Sequence, residues 1–208
     1  EQYIKTGVFK NILLIGSEVQ STAMDLSDNG RDTAIIFGDG AGAAIISSTN
    51  ADKGILSTHM HSDGKYLKEL WLEAPSSKQA NPRITKEDLN KGKQYLKMNG
   101  REVFKHAVEK LSTTAETILS KAGLSPADLD WMVPHQANLR IIKATAHKLK
   151  LPMTKVIVTV HEHGNTSAAS IPLALSVANL EKKFRKGDLI LMEAIGGGLA
   201  WGSILLRL

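Results

Sequence analysis

Between Asn165 and Glu181 the chain passes through Thr166-Ser167-Ala168-Ala169-Ser170-Ile171-Pro172-Leu173-Ala174-Leu175-Ser176-Val177-Ala178-Asn179 without a single charged side chain. A helix on the surface of a globular protein normally sets a charged face opposite its apolar stripe. This segment has no such face, and Ala and Ser recur along it. It is therefore predicted to be a helix buried on all sides, its small residues letting the neighbouring layers approach closely. A helix sandwiched between two β-sheets satisfies that demand, which restricts the chain to layered α/β architectures.

The rest of the pattern agrees with an α/β fold. Asn11 to Gly16, Thr33 to Phe37, Ala41 to Ser47 and Ile55 to His61 read as strands, as do Asp130 to Pro134, Val156 to Val160, Asp188 to Ala194 and Ala200 to Leu206. Arg101 to Ala122 carries a helical apolar stripe (Val103, Phe104, Ala107, Val108, Leu111, Ala115, Ile118, Leu119, Ala122) and stops at Gly123. Leu67 to Lys97, rich in Lys, Asn, Pro and Ser, reads as an excursion from the core. Glycine clusters at Gly38-Asp39-Gly40-Ala41-Gly42 and Gly196-Gly197-Gly198 are each expected between two strands, a weak internal echo. Neither has the G-x-G-x-x-G spacing of a dinucleotide loop.

At 208 residues the chain is long enough for one sizeable core. No apolar run approaches the ~20 residues of a membrane span, and no secretory leader opens the sequence. Glu1 to Thr6 reads as the end of a helix closed by Gly7, so the sequence is expected to be the carboxyl-terminal part of a longer polypeptide. There is no cysteine, which removes disulfides, thiolate metal sites and thiol nucleophiles from these residues.

Chemistry concentrates at two corners, Pro134-His135-Gln136-Ala137-Asn138 and His163-Gly164-Asn165-Thr166-Ser167. Each is expected at the carboxyl end of a strand and ahead of a helix, where open α/β sheets place their ligands. A histidine and an asparagine presented in this way can donate to one oxygen and stabilise an oxyanion or enolate. Taken singly, His135 reads as a structural histidine and Asn165 as a helix cap. The pairs His161/His163 and His59/His61 lack a third metal ligand nearby. The net charge of +5 gathers in Asn138 to Lys150, where Arg140, Lys143, Lys148 and Lys150 stand without an acid. Helical spacing sets Arg140, Lys143 and His147 on one face. That face is either merely solvated or a docking surface for an acidic partner or a phosphate. With 5% aromatic residues and no recognition motif, nucleic acid is not the expected partner.

Five segments resemble the β-ketoacyl-acyl carrier protein synthase III family, in that family's order. They are Ile36-Phe37-Gly38-Asp39-Gly40-Ala41-Gly42-Ala43, Met98-Asn99-Gly100-Arg101-Glu102-Val103-Phe104, Val133-Pro134-His135-Gln136-Ala137-Asn138-Leu139-Arg140-Ile141, His163 through Pro172, and Glu193 through Gly202. The resemblance implies a thiolase-like αβαβα layered fold, with residues 1–50 the remainder of an N-terminal half and 51–208 the C-terminal half. It implies decarboxylative condensation of an acyl-CoA starter with malonyl-acyl carrier protein at the start of fatty-acid synthesis, on a cysteine upstream of residue 1.

By the same resemblance His135 and Asn165 are catalytic donors and Gly197 supplies an oxyanion N–H. Gln136, Ala137, Asn138, Leu139, Arg140, Lys105 and Lys148 form the carrier-docking segment, and Arg31 contacts coenzyme A. The implied protein is a cytoplasmic homodimer that needs no metal or other cofactor. Its partners are acyl carrier protein and acyl-CoA, and it has no membrane partner. The residues leave two alternatives open: a non-catalytic acyl-CoA or carrier-binding fragment, and a relative acting on other acyl groups.

Overall fold

The computed structural model describes residues 1–78 and 81–208. Its elements are α1 (Gln2–Lys5), β1 (Asn11–Glu18), α2 (Arg31–Ala34), β2 (Gly40–Ser47), β3 (Gly54–Ser62), β4 (Leu70–Leu72) and α3 (Lys86–Asn90). They continue with β5 (Leu96–Met98), α4 (Gly100–Lys121), β6 (Trp131–Pro134), α5 (Leu139–Lys148), α6 (Val160–His163), α7 (Ser170–Leu180), β7 (Leu189–Gly196) and β8 (Ala200–Arg207).

The larger sheet has the order β3-β8-β7-β6, with β6 and β7 parallel and the other neighbours antiparallel. A second sheet is the antiparallel pair β1-β2. Helix α7 touches β2 on one side and β6 on the other, and α4 packs on the far face of the larger sheet beside α5. The layers thus run sheet, helix, sheet, helix. Ala174 and Ala178 of α7 pack with Val133, Ile157 and Ile190. Across the sheet, Ile118 and Leu119 of α4 and Ile142 of α5 close over Met132, Leu191 and Leu205, all at most 1% exposed. The α4 stripe is read off correctly from the sequence. Its end is a paired cap in which Leu124 N–H donates to Leu119 O and Gly123 N–H to Ser120 O, with Gly123 at φ +70°.

Small residues set the spacing of the β1-β2 sheet against α7. A Cβ on Gly42 would lie 2.6 Å from Pro172 Cβ, and one on Gly16 would lie 2.5 Å from Ala168 O. The uncharged helix is therefore explained by two covering sheets, but it is not buried all round: Ser176 and Asn179 are exposed. Sheets cover two of its sides, and exposure is confined to Ser176, Asn179 and Leu180. Before it, Ser167–Ala169 forms a 3₁₀ turn.

Three other readings need correction. Thr33 to Phe37 is not a strand. Arg31–Ala34 is helical, and only Phe37 finds a partner, Asn165, in an isolated bridge. Val156 to Val160 is not a strand either. Val156 makes one bridge to Met132, and Val160 already begins α6. Gly40 and Gly42 lie inside β2 rather than between two strands, so of the two glycine turns only Gly196–Gly198 is a strand-to-strand connection. The excursion from Leu67 to Lys97 contains the small β4-β5 ladder and α3, with residues 79 and 80 outside the described residues.

Candidate active site

His135 follows β6 directly, and its N–H donates to Glu193 O at 2.7 Å, extending the β6-β7 pairing by one residue. Its Nδ1 lies 2.6 Å from Ser170 Oγ at the start of α7. Burial holds the imidazole pKa down at about 4, against an ordinary 6.5, so the ring is neutral at pH 7.

Asn165 is pinned by its backbone to the segment leading into β2. Its N–H donates to Ile36 O at 2.9 Å and its carbonyl accepts from Gly38 N–H at 3.0 Å. Such proximity excludes side chains: a Cβ on Gly38 would run into His163 O, and Gly164 has φ +67°. The Asn165 side chain is oriented as well. Its Oδ1 accepts from Ser167 N–H at 2.9 Å, which leaves the amide NH₂ as the free donor end.

Gln136 ties its own corner to the segment that leads into α6, ahead of the second corner. Its Nε2 donates to Pro134 O (2.8 Å) and Ile157 O (3.2 Å), and its Oε1 accepts from Thr159 N–H (2.8 Å) and Val160 N–H (3.1 Å). A side chain here takes the place of a ladder partner. This is why residues 156–160 bend into α6 instead of continuing as a strand. At 1% exposure Gln136 has no surface to offer a carrier protein, so its assignment to the docking segment is corrected. Asn138 is committed to capping α5, accepting from Ile141 N–H at 2.8 Å, and Ala137 is half-buried against the Ala107–Leu111–Ile141 cluster.

What remains at the surface of that segment is Leu139, Arg140, Lys143, His147 and Lys148, all exposed. Arg140 stacks over the Phe104 ring at 5.9 Å, and the next residue of α4, Lys105, is exposed and lies 3.9 Å from Glu102. Gly197 is exposed in the β7-β8 turn, where a Cβ would approach Leu70 O to 2.7 Å. Arg31 is exposed at the start of α2 and lines a groove of about 260 Å³ with Leu26, Ser27, Asp28, Ala34 and Ile35. The chain runs from α2 straight into Ile36, whose carbonyl holds Asn165.

Of the other histidine pairs, His59/His61 is accounted for internally, whereas the buried His163 Nδ1 has no hydrogen-bond partner among the described residues. His59 and His61 meet Nε2 to Nε2 at 2.9 Å, and His59 Nδ1 reaches Thr114 Oγ1 at 3.2 Å. Exposed His161 lies beside Glu162. Among the described residues no group of three or more His, Cys, Asp or Glu is placed to hold a metal ion, and no helix is long and apolar enough to cross a membrane.

Two residues escaped the sequence reading. In the sequence Ser170 is one of several small residues of its helix, with no local signal to set it apart. Glu193 is an acid inside an apolar strand, and that interruption is the available signal.

A helix held between two sheets, with polar corners from both sides meeting at its start, defines a thiolase-like protein. The solved structures agree. The 3-oxoacyl-[acyl-carrier-protein] synthase III of Aquifex aeolicus matches all of this chain and 61% of its own, at 43% identity and TM-score 0.86. The β-ketoacyl-[acyl carrier protein] synthase III of Thermus thermophilus matches at 40% identity and TM-score 0.88, over 62% of its chain.

Two sequence profiles of one family cover most of the chain: 3-oxoacyl-[acyl-carrier-protein] synthase III over residues 1–64 and its C-terminal part over 119–208. The chain belongs to the 3-oxoacyl-[acyl-carrier-protein] synthase III family. Curated relatives named beta-ketoacyl-[acyl-carrier-protein] synthase III, from Cereibacter sphaeroides and Ruegeria pomeroyi, are each 52% identical over 98% of this chain. The chain spans about 60% of the length of these relatives.

Proposed function

We propose that these residues form the condensing half-site of a β-ketoacyl-acyl carrier protein synthase III, acting on an acyl-CoA starter, with acetyl-CoA the first candidate, and malonyl-acyl carrier protein. The observation that supports this reading is the fixed placement of two polar side chains, His135 and Asn165, around the start of α7. Asn165 is turned NH₂ outward, and neutral His135 is held at the start of α7 by Ser170, five residues after Asn165.

In this reading a cysteine of the longer polypeptide first takes the acyl group, and coenzyme A leaves as the thiol. The malonyl C–CO₂ bond then breaks, carbon dioxide departs, and the electron pair moves onto the α-carbon as an enolate. His135 and Asn165 donate to the thioester oxygen on which that charge collects. Fixed dipoles do this without solvent reorganisation, and removing one such donor typically costs ~10²–10³ in rate. The enolate attacks the acyl carbonyl, a carbon–carbon bond forms, and the tetrahedral oxyanion, held by the Gly197 N–H, collapses with loss of thiolate. Arg31 meets the coenzyme A phosphates, and the Arg140 face with Lys105 and Lys148 meets the acidic carrier protein. The protein acts as a cytoplasmic homodimer.

The test follows the two half-reactions separately in the full-length polypeptide. His135→Ala and Asn165→Ala should reduce decarboxylation of labelled malonyl-carrier protein ~100-fold or more and leave acylation from labelled acetyl-CoA much less affected. Loss of acylation with intact decarboxylation would reverse the assignment.

A further inference from the structure

The hydrogen bonds of Ser170 decide which nitrogen of His135 carries the proton. Ser170 Oγ lies 2.6 Å from His135 Nδ1 and 3.3 Å from the Gln136 backbone nitrogen. A backbone N–H only donates, so one lone pair of the hydroxyl is taken by Gln136. The hydroxyl has a single proton, and among the described residues no other acceptor lies within hydrogen-bond distance of Ser170 Oγ. That proton is directed at Nδ1, which must therefore offer its lone pair. The proton of the neutral ring is then on Nε2, which has no partner among the described residues.

We propose that Ser170 is a positioning residue that locks His135 in the Nε2–H tautomer, so that the free nitrogen of the ring is a donor. The proposal rests on the reading of His135 as a donor to the thioester oxygen and adds what makes it one. A neutral imidazole in the other tautomer would turn a lone pair toward the developing enolate, replacing attraction by repulsion. Burial keeps the ring neutral, so protonation does not supply the second N–H. Ser170 suits the task because it is 2% exposed and fixed by the first turn of α7. The backbone N–H that supports it belongs to Gln136, whose side chain holds the segment leading into α6. One short stretch thus sets both the position of the ring and its proton.

The test is ¹⁵N NMR of the full-length polypeptide labelled at histidine, with the His135 signals identified by their loss in His135→Gln. The expected spectrum has a pyridine-type Nδ1 and a pyrrole-type Nε2. In Ser170→Ala the two tautomers should mix, and malonyl decarboxylation should fall about tenfold or more, the usual scale for loss of a group that orients a histidine. Acylation from acetyl-CoA should change far less, and Ser170→Cys, which keeps a weak donor, should recover part of the loss. A pyrrole-type Nδ1 in the unsubstituted protein overturns the proposal, and this measurement needs no variant to fold. So does a Ser170→Ala protein whose tautomer and decarboxylation rate are both unchanged. Failure of the functional reading itself looks different: His135 has the expected tautomer, yet His135→Ala decarboxylates normally.

Discussion

Glu193 stands in β7 between apolar neighbours, 1% exposed, and neither carboxylate oxygen has a hydrogen-bond partner among the described residues. Burial pushes its pKa up to about 8 from an ordinary 4.5, so the group is mostly protonated at pH 7. Between those values the folded chain holds a proton that the unfolded chain has released. Its contribution to stability is therefore greatest below pH 4.5 and is lost as the pH rises through 8. Glu193→Gln should raise the melting temperature at pH 8 and change it little near pH 4.5, measured by thermal scans across that range. An equal shift at both ends would mean that Glu193 stays in one charge state. His135 works in the opposite sense. Its pKa is lowered to about 4, so the unfolded chain binds the extra proton first, and stability is lost as the pH falls from 6.5 toward 4.

At the scale of elements, α7 is the spacer on which both corners depend. Gly42→Val places methyl groups where Pro172 already stands, 2.6 Å from the first added carbon. Overpacking of this kind costs about 1–3 kcal/mol, and α7 should shift together with Asn165, five residues before its first residue. A denaturant midpoint lowered with an unchanged slope would show the cost, whereas an unchanged midpoint would mean that the sheet and helix separate freely. Helix α5 permits a different test. If its exposed basic face meets the carrier protein, Arg140→Glu in the full-length polypeptide should lower kcat/KM for malonyl-carrier protein and affect the acyl-CoA starter less. The loss should shrink as salt rises, because exposed charges are screened beyond ~8 Å at physiological ionic strength. Equal losses for both substrates, independent of salt, would make the face merely solvated.

For the whole molecule, two features matter: an uncovered sheet face and the lack of a thiol. The face of the β1-β2 sheet turned away from α7 exposes Leu13, Ile15 and Ile45 at 61%, 64% and 72%, and contiguous apolar surface on a sheet invites association. There is also no cysteine. A polypeptide restricted to these residues should accordingly bind an apolar dye or self-associate, and should take no labelled acyl group from acyl-CoA. A monodisperse, dye-silent fragment, or one that acquires the label, would contradict this. The local pattern of the chain determined a good deal. Apolar period and a terminal glycine specify α4, short apolar runs specify β6, β7 and β8, and the lack of charge on α7 specifies a helix between layers. Each of these depends on side chains close together in sequence. Residues 33–37 and 156–160 have equally strand-like composition, yet neither becomes a strand. A strand exists only through a neighbour, and Phe37 finds just Asn165 while Thr159 and Val160 give their N–H groups to Gln136. The tertiary structure alone decided that Gln136 is internal and that Ser170 meets His135 from 35 residues away. Hydrogen bonds between segments so far apart depend on how the layers stack, which no local pattern encodes.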